Sequence, residues 1–144
     1  MSTAFEALVA PHSDEAEQAV LGALMLDNAA WDRVADALVA ADFYHPDHRA
    51  VYASIGKLME VSKGADPITV SEDCGADLAY LFKMMQSVIS SAHARRHAEI
   101  VRERSMERKL QRIGADMADM ASDPARTALV KIDAAMARLS QLGA

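Results

Sequence analysis

The sequence has little cysteine, proline, glycine or aromatic residue. Its 144 residues include one cysteine, four prolines and six glycines, and Phe, Trp and Tyr together make up 5%. A single cysteine, Cys74, excludes a disulfide within the chain. Few helix-breaking residues, few aromatics and abundant Ala, Leu and Met favour helices over a sheet.

Long apolar runs are also absent. No run approaches the roughly 18 residues needed to cross a bilayer, and no secretory apolar region follows Met1. We therefore expect no membrane association and a cytoplasmic location.

Residues 13–58 predict three amphipathic helices in succession. Ser13 can cap the first, Asn28 the second, and Pro46 suits the first turn of the third. Turn signals and further apolar spacing continue to residue 90. The sequence thus predicts an all-α fold with a flexible N-terminal tail over residues 1–12 and a small globular helical bundle over residues 13–90.

Residues 91–142 predict a long antiparallel helical hairpin after the bundle. Ser91 can cap a helix that runs to about Ala121, and Asp123 can cap the next, with Pro124 in its first turn. Apolar residues recur on both helices at spacings of three and four. We call these nine residues the hairpin seam: Met106, Leu110, Ile113, Met117, Met120, Leu129, Ile132, Met136 and Leu139.

A narrow stripe of this kind can be buried inside one hairpin, or it can join two chains. Burying each further Leu, Ile or Met contributes roughly 1.5–3 kcal/mol. An isolated hairpin leaves much of its apolar flank in water. We therefore expect self-association through the seam, as a homodimer or higher oligomer.

Charge is divided unevenly along the chain. Residues 1–91 carry five Lys or Arg against fourteen Asp or Glu, and residues 92–144 carry ten against seven. Arg104, Arg108 and Arg112 share one helix face at spacings of four, and they are candidates for docking an acidic partner protein. The alternative is a solvated helix that pairs with its own Glu residues. Binding of nucleic acid is not expected, because the basic stretch lacks aromatic residues for base stacking and the chain is acidic overall.

No constellation of residues predicts catalysis or a cofactor. A phosphate-binding loop of the form G-x-x-x-x-G-K-[ST] is missing, since Val51 stands five residues before Gly56-Lys57. His93 and His97 have metal-ligand spacing but lack the accompanying Glu, so we expect no metal there. Glu15 and Glu17 are expected to lie on the solvent-exposed face of an acidic helix. We expect no catalytic, cofactor or metal residues.

Several short motifs follow one another along the chain. They are EAEQAVLG at residues 15–22, LDN at 26–28, DFY at 42–44, HR at 48–49, ITV at 68–70, AYL at 79–81 and AEIVRER at 98–104. Over roughly residues 11–112 this succession resembles the N-terminal domain of bacterial replicative DNA helicases of the DnaB type. Two departures are a short gap, with only residues 71–78 between ITV and AYL, and the end of the sequence where a linker helix and ATPase domain would follow.

The resemblance implies a non-catalytic interaction and oligomerisation domain in DNA replication. In such helicases a globular part and a helical hairpin form this domain, hairpins pair into dimers, and three dimers form a collar above the motor ring. The implied partners are the replicative helicase itself, primase or a helicase loader. This sequence alone is expected neither to bind ATP in the helicase manner nor to unwind DNA.

Three interpretations stay open at this point. The sequence can be a piece of a replicative helicase, or a free-standing mimic from a phage or mobile element that regulates the host helicase, its loader or primase. The third is a nucleic-acid-binding helical module. The short gap between ITV and AYL favours the mimic slightly over the piece.

Overall fold

Residues 9–143, which the computed structural model describes, fold into seven α-helices and three short 3-10 turns. Residues 12–105 form one compact unit, and residues 106–143 belong to the other with residues 9–11. The predicted tail over residues 1–12 therefore lies largely outside the described residues. The all-α prediction is confirmed, while the domain boundary after residue 90 stays a prediction.

The helices within residues 9–143 have the following bounds: α1 Asp14–Leu26, α2 Trp31–Val34, α3 Pro46–Glu60, α4 Pro67–Cys74, α5 Leu78–Gln86, α6 Ala94–Ala121 and α7 Ala128–Gly143. Among the residues described, none of these helices combines the length and apolar character that a bilayer span requires.

Helix α1 is the centre of the first unit. The Ser13 hydroxyl accepts a hydrogen bond from the Ala16 amide at 3.1 Å, as the sequence predicts for a cap. Val20, Leu21, Leu24 and Met25 are all buried in the core. Helical spacing of apolar residues therefore identified the inward face of α1 correctly.

Asn28 does not cap the second helix as expected. Its side-chain amide donates to the carbonyls of Leu24 and Ala65, and its oxygen accepts from the Ala65 amide at 3.0 Å. Asp27 caps the 3-10 turn Asn28–Ala30 that leads into α2, because its carboxylate accepts from the Ala29 amide, and among the described residues no side chain caps α2 itself. Asn28 instead joins the end of α1 to the turn before α4.

The short gap between α4 and α5 is closed by a left-handed turn. Gly75 ends α4 with a φ of 77°, and Asp77 caps α5 by accepting from the Tyr80 amide. Glycine adopts this backbone region without the steric cost that a side chain brings. Three residues therefore suffice to connect the helices.

Helices α6 and α7 begin later than the sequence predicts. A 3-10 turn over Ser91–His93, capped by Ser90, precedes α6, and the Ser91 hydroxyl donates to Asp27 at 2.7 Å instead of capping. Asp123 does not begin α7. That helix starts at Ala128, and Thr127 accepts a long hydrogen bond of 3.4 Å from the Val130 amide. The predicted end of α6 at Ala121 is confirmed.

Candidate association surface and the buried polar network

The α7 part of the hairpin seam is exposed to solvent. Leu129, Ile132, Met136 and Leu139 are between 40% and 69% exposed. We call these four residues the apolar face of α7. Val130, which the seam did not include, is also exposed.

The α6 part of the seam is more covered. Ile113 is only 7% exposed, Met106, Met117 and Met120 are half-buried, and Leu110 is exposed. The spacing of three and four residues thus predicted apolar positions on both helices, but the burial of these positions differs between the two helices.

The side of α7 that faces α6 carries small and charged residues together with Ile132. Arg138 forms an ion pair with Asp116 at 2.6 Å, and the Lys131 ammonium donates to the Ala121 carbonyl at 2.9 Å. Because residue 116 pairs with 138 and residue 121 with 131, the two helices run antiparallel. Met117, Met120, Ile132 and Ala135 help to line a groove of about 270 Å³ between them, and Ile132 therefore lies at the border between this groove and the exposed side of α7.

The three candidate docking arginines differ in their surroundings. Arg112 is exposed, whereas Arg104 and Arg108 are half-buried. The Arg108 guanidinium donates to the Pro11 carbonyl at 2.9 Å. Equal helical spacing therefore does not give these side chains equal access to a partner.

The expected solvent exposure of Glu17 is wrong. Its side chain is only 1% exposed, not on a wet face. The carboxylate accepts from the Tyr44 amide at 2.7 Å and the His45 amide at 3.5 Å, and it pairs with His48 Nδ1 at 2.7 Å. Glu15, by contrast, is exposed as expected.

A chain of hydrogen bonds extends from Glu17 through two helices. Since the carboxylate has no proton, His48 Nδ1 donates to it, and His48 Nε2 lies 2.8 Å from the Tyr80 hydroxyl. The Gln18 amide donates to the same hydroxyl at 3.1 Å. Each polar group of this chain thus has a hydrogen-bond partner within the protein.

The hydrogen bonds also change the acidity of Glu17. Burial alone raises the pKa of the carboxyl, but the bonds from His48 and the Tyr44 and His45 amides outweigh burial and hold the pKa below its ordinary value. Glu17 is therefore an ionised group in the core, and both of its carboxylate oxygens accept hydrogen bonds.

The turn before α3 is held by a second buried carboxylate. Asp42 accepts from the Val39 amide at 2.9 Å and from the Ser105 hydroxyl at 2.8 Å. Arg49 donates to the carbonyls of Phe43 and Tyr44. The motifs EAEQAVLG, DFY and HR thus form one structural network.

Histidines near the start of α1 have partners that the sequence did not reveal. His12 stacks on Tyr44, with ring centroids 4.0 Å apart, and it lies 3.2 Å from Asp14. His45 approaches the same Asp14 oxygen at 2.5 Å. The hydrogen bond from His45 and the nearby imidazoles lower the pKa of Asp14. The ring of His93, in the 3-10 turn before α6, lies 6.3 Å from the ring of His97 in α6.

Comparisons with known proteins place this architecture in context. Residues 9–103 match the family described as DnaB-like helicase N-terminal domain. The chain is 35% identical over 125 residues to the replicative DNA helicase DnaB of Haemophilus influenzae, covering 81% of this chain and 26% of that protein. It is 30% identical over 142 residues to DnaB of Rhodothermus marinus, covering 93% of this chain and 15% of that protein.

A solved structure extends the similarity to three dimensions. The crystal structure of the N-terminal domain of DnaB helicase from Mycobacterium tuberculosis superposes with a TM-score of 0.84 at 29% identity, and the match covers 93% of this chain and 99% of that one. The chain spans about a quarter of the length of the Haemophilus relative. The family model and the solved structure both describe the N-terminal domain.

Proposed function

The chain belongs to the family of DnaB-like helicase N-terminal domains, and from this premise we propose that it is a non-catalytic module that self-associates through its hairpin. In this role it contributes to the collar of a replicative helicase and acts in DNA replication in the cytoplasm. The observation that carries the proposal is the apolar face of α7.

The energetic argument starts from four large side chains in water. Each residue of the apolar face of α7 gains roughly 1.5–3 kcal/mol when it is fully buried. Association costs an estimated 4–15 kcal/mol in lost translational and rotational freedom, so several such side chains must be covered together. A second copy of the hairpin, which offers the same face, supplies matching apolar surface across a twofold axis.

Introducing charge into this face is expected to abolish self-association. Ile132→Asp/Met136→Asp places two carboxylates at its centre, where burial without a partner is strongly unfavourable. We expect the wild type to sediment as a dimer or larger species at micromolar concentration and this variant to sediment as a monomer. Analytical ultracentrifugation measures the difference.

The matched control is Ala137→Asp/Gln141→Asp. It adds the same charge at the same spacing, on exposed residues that lie about 140° further around α7 at 3.6 residues per turn. Circular dichroism checks that both variants stay helical. A wild type that remains monomeric, or equal loss of association in both variants, contradicts the proposal.

Partner docking through the arginines is a finer proposal. The family membership and the basic excess after residue 91 support an acidic surface of primase or a helicase loader as the partner. We expect Arg112→Glu to weaken binding of the purified partner, measured by calorimetry, more than Lys109→Glu does. Both residues are exposed and both changes alter charge equally; equal effects would contradict a specific role for Arg112.

The free-standing mimic is the alternative function. The short connection at Gly75 supports it, because the notable departure from the family pattern lies there. Sedimentation of a labelled chain with the full-length host helicase distinguishes the two. Mixed assemblies that block helicase activity support the mimic, whereas exclusive self-association supports the collar module.

A further inference from the structure

We propose that His12, Asp14 and His45 together bind one zinc ion. Each residue offers one ligand atom, which is a ring nitrogen of each histidine and a carboxylate oxygen of Asp14. These three atoms lie within 4.8 Å of one another. Imidazole nitrogen together with carboxylate oxygen is a ligand set that zinc accepts. None of the three residues belongs to the hairpin, so the proposal does not depend on self-association.

The distances are close to those that a metal centre needs. Asp14 Oδ1 lies 3.2 Å from His12 Nε2 and 2.5 Å from His45 Nε2. In a tetrahedral zinc site with bonds of about 2.0–2.1 Å, neighbouring ligand atoms are about 3.3 Å apart. The first distance already fits, and the second has to widen by less than about 1 Å.

Aromatic contacts orient the two imidazoles toward one point. His12 stacks on Tyr44 at 4.0 Å, and the ring of His45 meets Tyr44 edge-on at 5.0 Å. The rings of His12 and His45 are perpendicular, with centroids 5.4 Å apart. Because Tyr44 contacts both rings, the ligands are partly arranged before an ion arrives.

The backbone beneath the cluster is anchored by buried groups. Asp14 is the first residue of α1, and His45 directly precedes α3. The amides of Tyr44 and His45 are held by Glu17 in the core. The ligand atoms remain accessible, since the side chains of Asp14 and His45 are 53% and 38% exposed. Such a site offers three protein ligands and leaves the fourth position for water.

Zinc binding is measured on the full 144-residue chain by calorimetry, with Co²⁺ absorption as a probe of coordination geometry. We expect one ion per chain and the visible spectrum of four-coordinate cobalt. Loss of even an outer partner of a metal site costs about 10–100-fold in affinity. We therefore expect His12→Ala, Asp14→Asn and His45→Ala each to weaken binding by at least about 10-fold.

The control is His93→Ala/His97→Ala, which removes the other histidine pair. We expect this variant to bind zinc as the wild type does. Asp14→Asn keeps the shape of an exposed side chain, so it tests the site even if His45→Ala disturbs folding. The proposal is overturned if zinc does not bind saturably, if the His93/His97 variant loses binding, or if the cluster variants retain wild-type affinity.

Discussion

Replacing Glu17 by Gln is expected to lower the free energy of unfolding by about 3 kcal/mol. The carboxylate receives three hydrogen bonds in a site that is only 1% exposed. Glutamine offers one oxygen, and its amide would place donors against the donors of Tyr44 and His48. Urea denaturation followed by circular dichroism measures the loss as a lower midpoint at unchanged slope.

Glu15→Gln is the matched control for this change. It removes the same charge from the same first turns of α1, but at an exposed position. Surface substitutions of this kind usually change stability by within about 0.5 kcal/mol. If both variants lose the same stability, the buried network is not the cause.

The same residue predicts how stability depends on pH. The folded-state pKa of Glu17 lies below its ordinary value of 4.5, so the unfolded chain binds more protons between the two values. The contribution of Glu17 is therefore fully present above about pH 5 and is lost as the pH falls through the folded-state pKa. We expect stability to fall less steeply with acid in Glu17→Gln than in Glu15→Gln, as measured by urea denaturation at a series of pH values.

Replacing Gly22 by Ala is expected to destabilise the chain by about 2–3 kcal/mol. A Cβ atom at Gly22 would lie 2.3 Å from the carbonyl oxygen of Met84, which belongs to the backbone of α5. Since backbone cannot move aside as a flexible side chain can, α1 and α5 would have to separate. Thermal unfolding followed by circular dichroism measures the loss.

Gly114→Ala is the matched control in the interior of α6. A Cβ atom there meets nothing within 4 Å. Alanine in a helix interior is favoured over glycine by roughly 0.5–1 kcal/mol, so this variant is expected to be neutral or more stable. A stabilising effect at Gly22 would show that the two helices are not held as closely as described.

Local rules predicted much of the helical core. Val20, Leu21, Leu24 and Met25 follow helical spacing, and all four are buried. The cap at Ser13 was also predicted correctly because it depends on residues three positions away. Such features need no knowledge of the rest of the chain.

Glu17 could not be predicted from the same rules. Its partners lie 27 to 31 residues ahead, at the turn before α3 and within it. A carboxylate in an acidic first turn normally faces water, and only the arrival of His48 and the Tyr44 amide makes its burial favourable. The fixed order of the motifs was the available signal, because the network is built from residues of three of them.

The sequence predicted which residues form the apolar stripe of α7, but not which side of that helix contacts α6. Spacing identified Leu129, Ile132, Met136 and Leu139 as one stripe, yet it did not indicate which side of α7 would meet α6. That choice depends on contacts such as Arg138 with Asp116, which lie far apart in sequence. Self-association and the role of the arginines stay predictions.

The pairing of α7 with α6 has a consequence for the local dynamics of α7. Ile132 is the large apolar residue of α7 that lines the groove with α6, beside Ala128, Lys131 and Ala135, and it remains 54% exposed, so the single hairpin gains little free energy from docking this helix. Its backbone amides should then exchange with deuterium at low protein concentration and become protected as the concentration rises. The final helix would thus act as a reporter of assembly, ordered most firmly when another chain covers it.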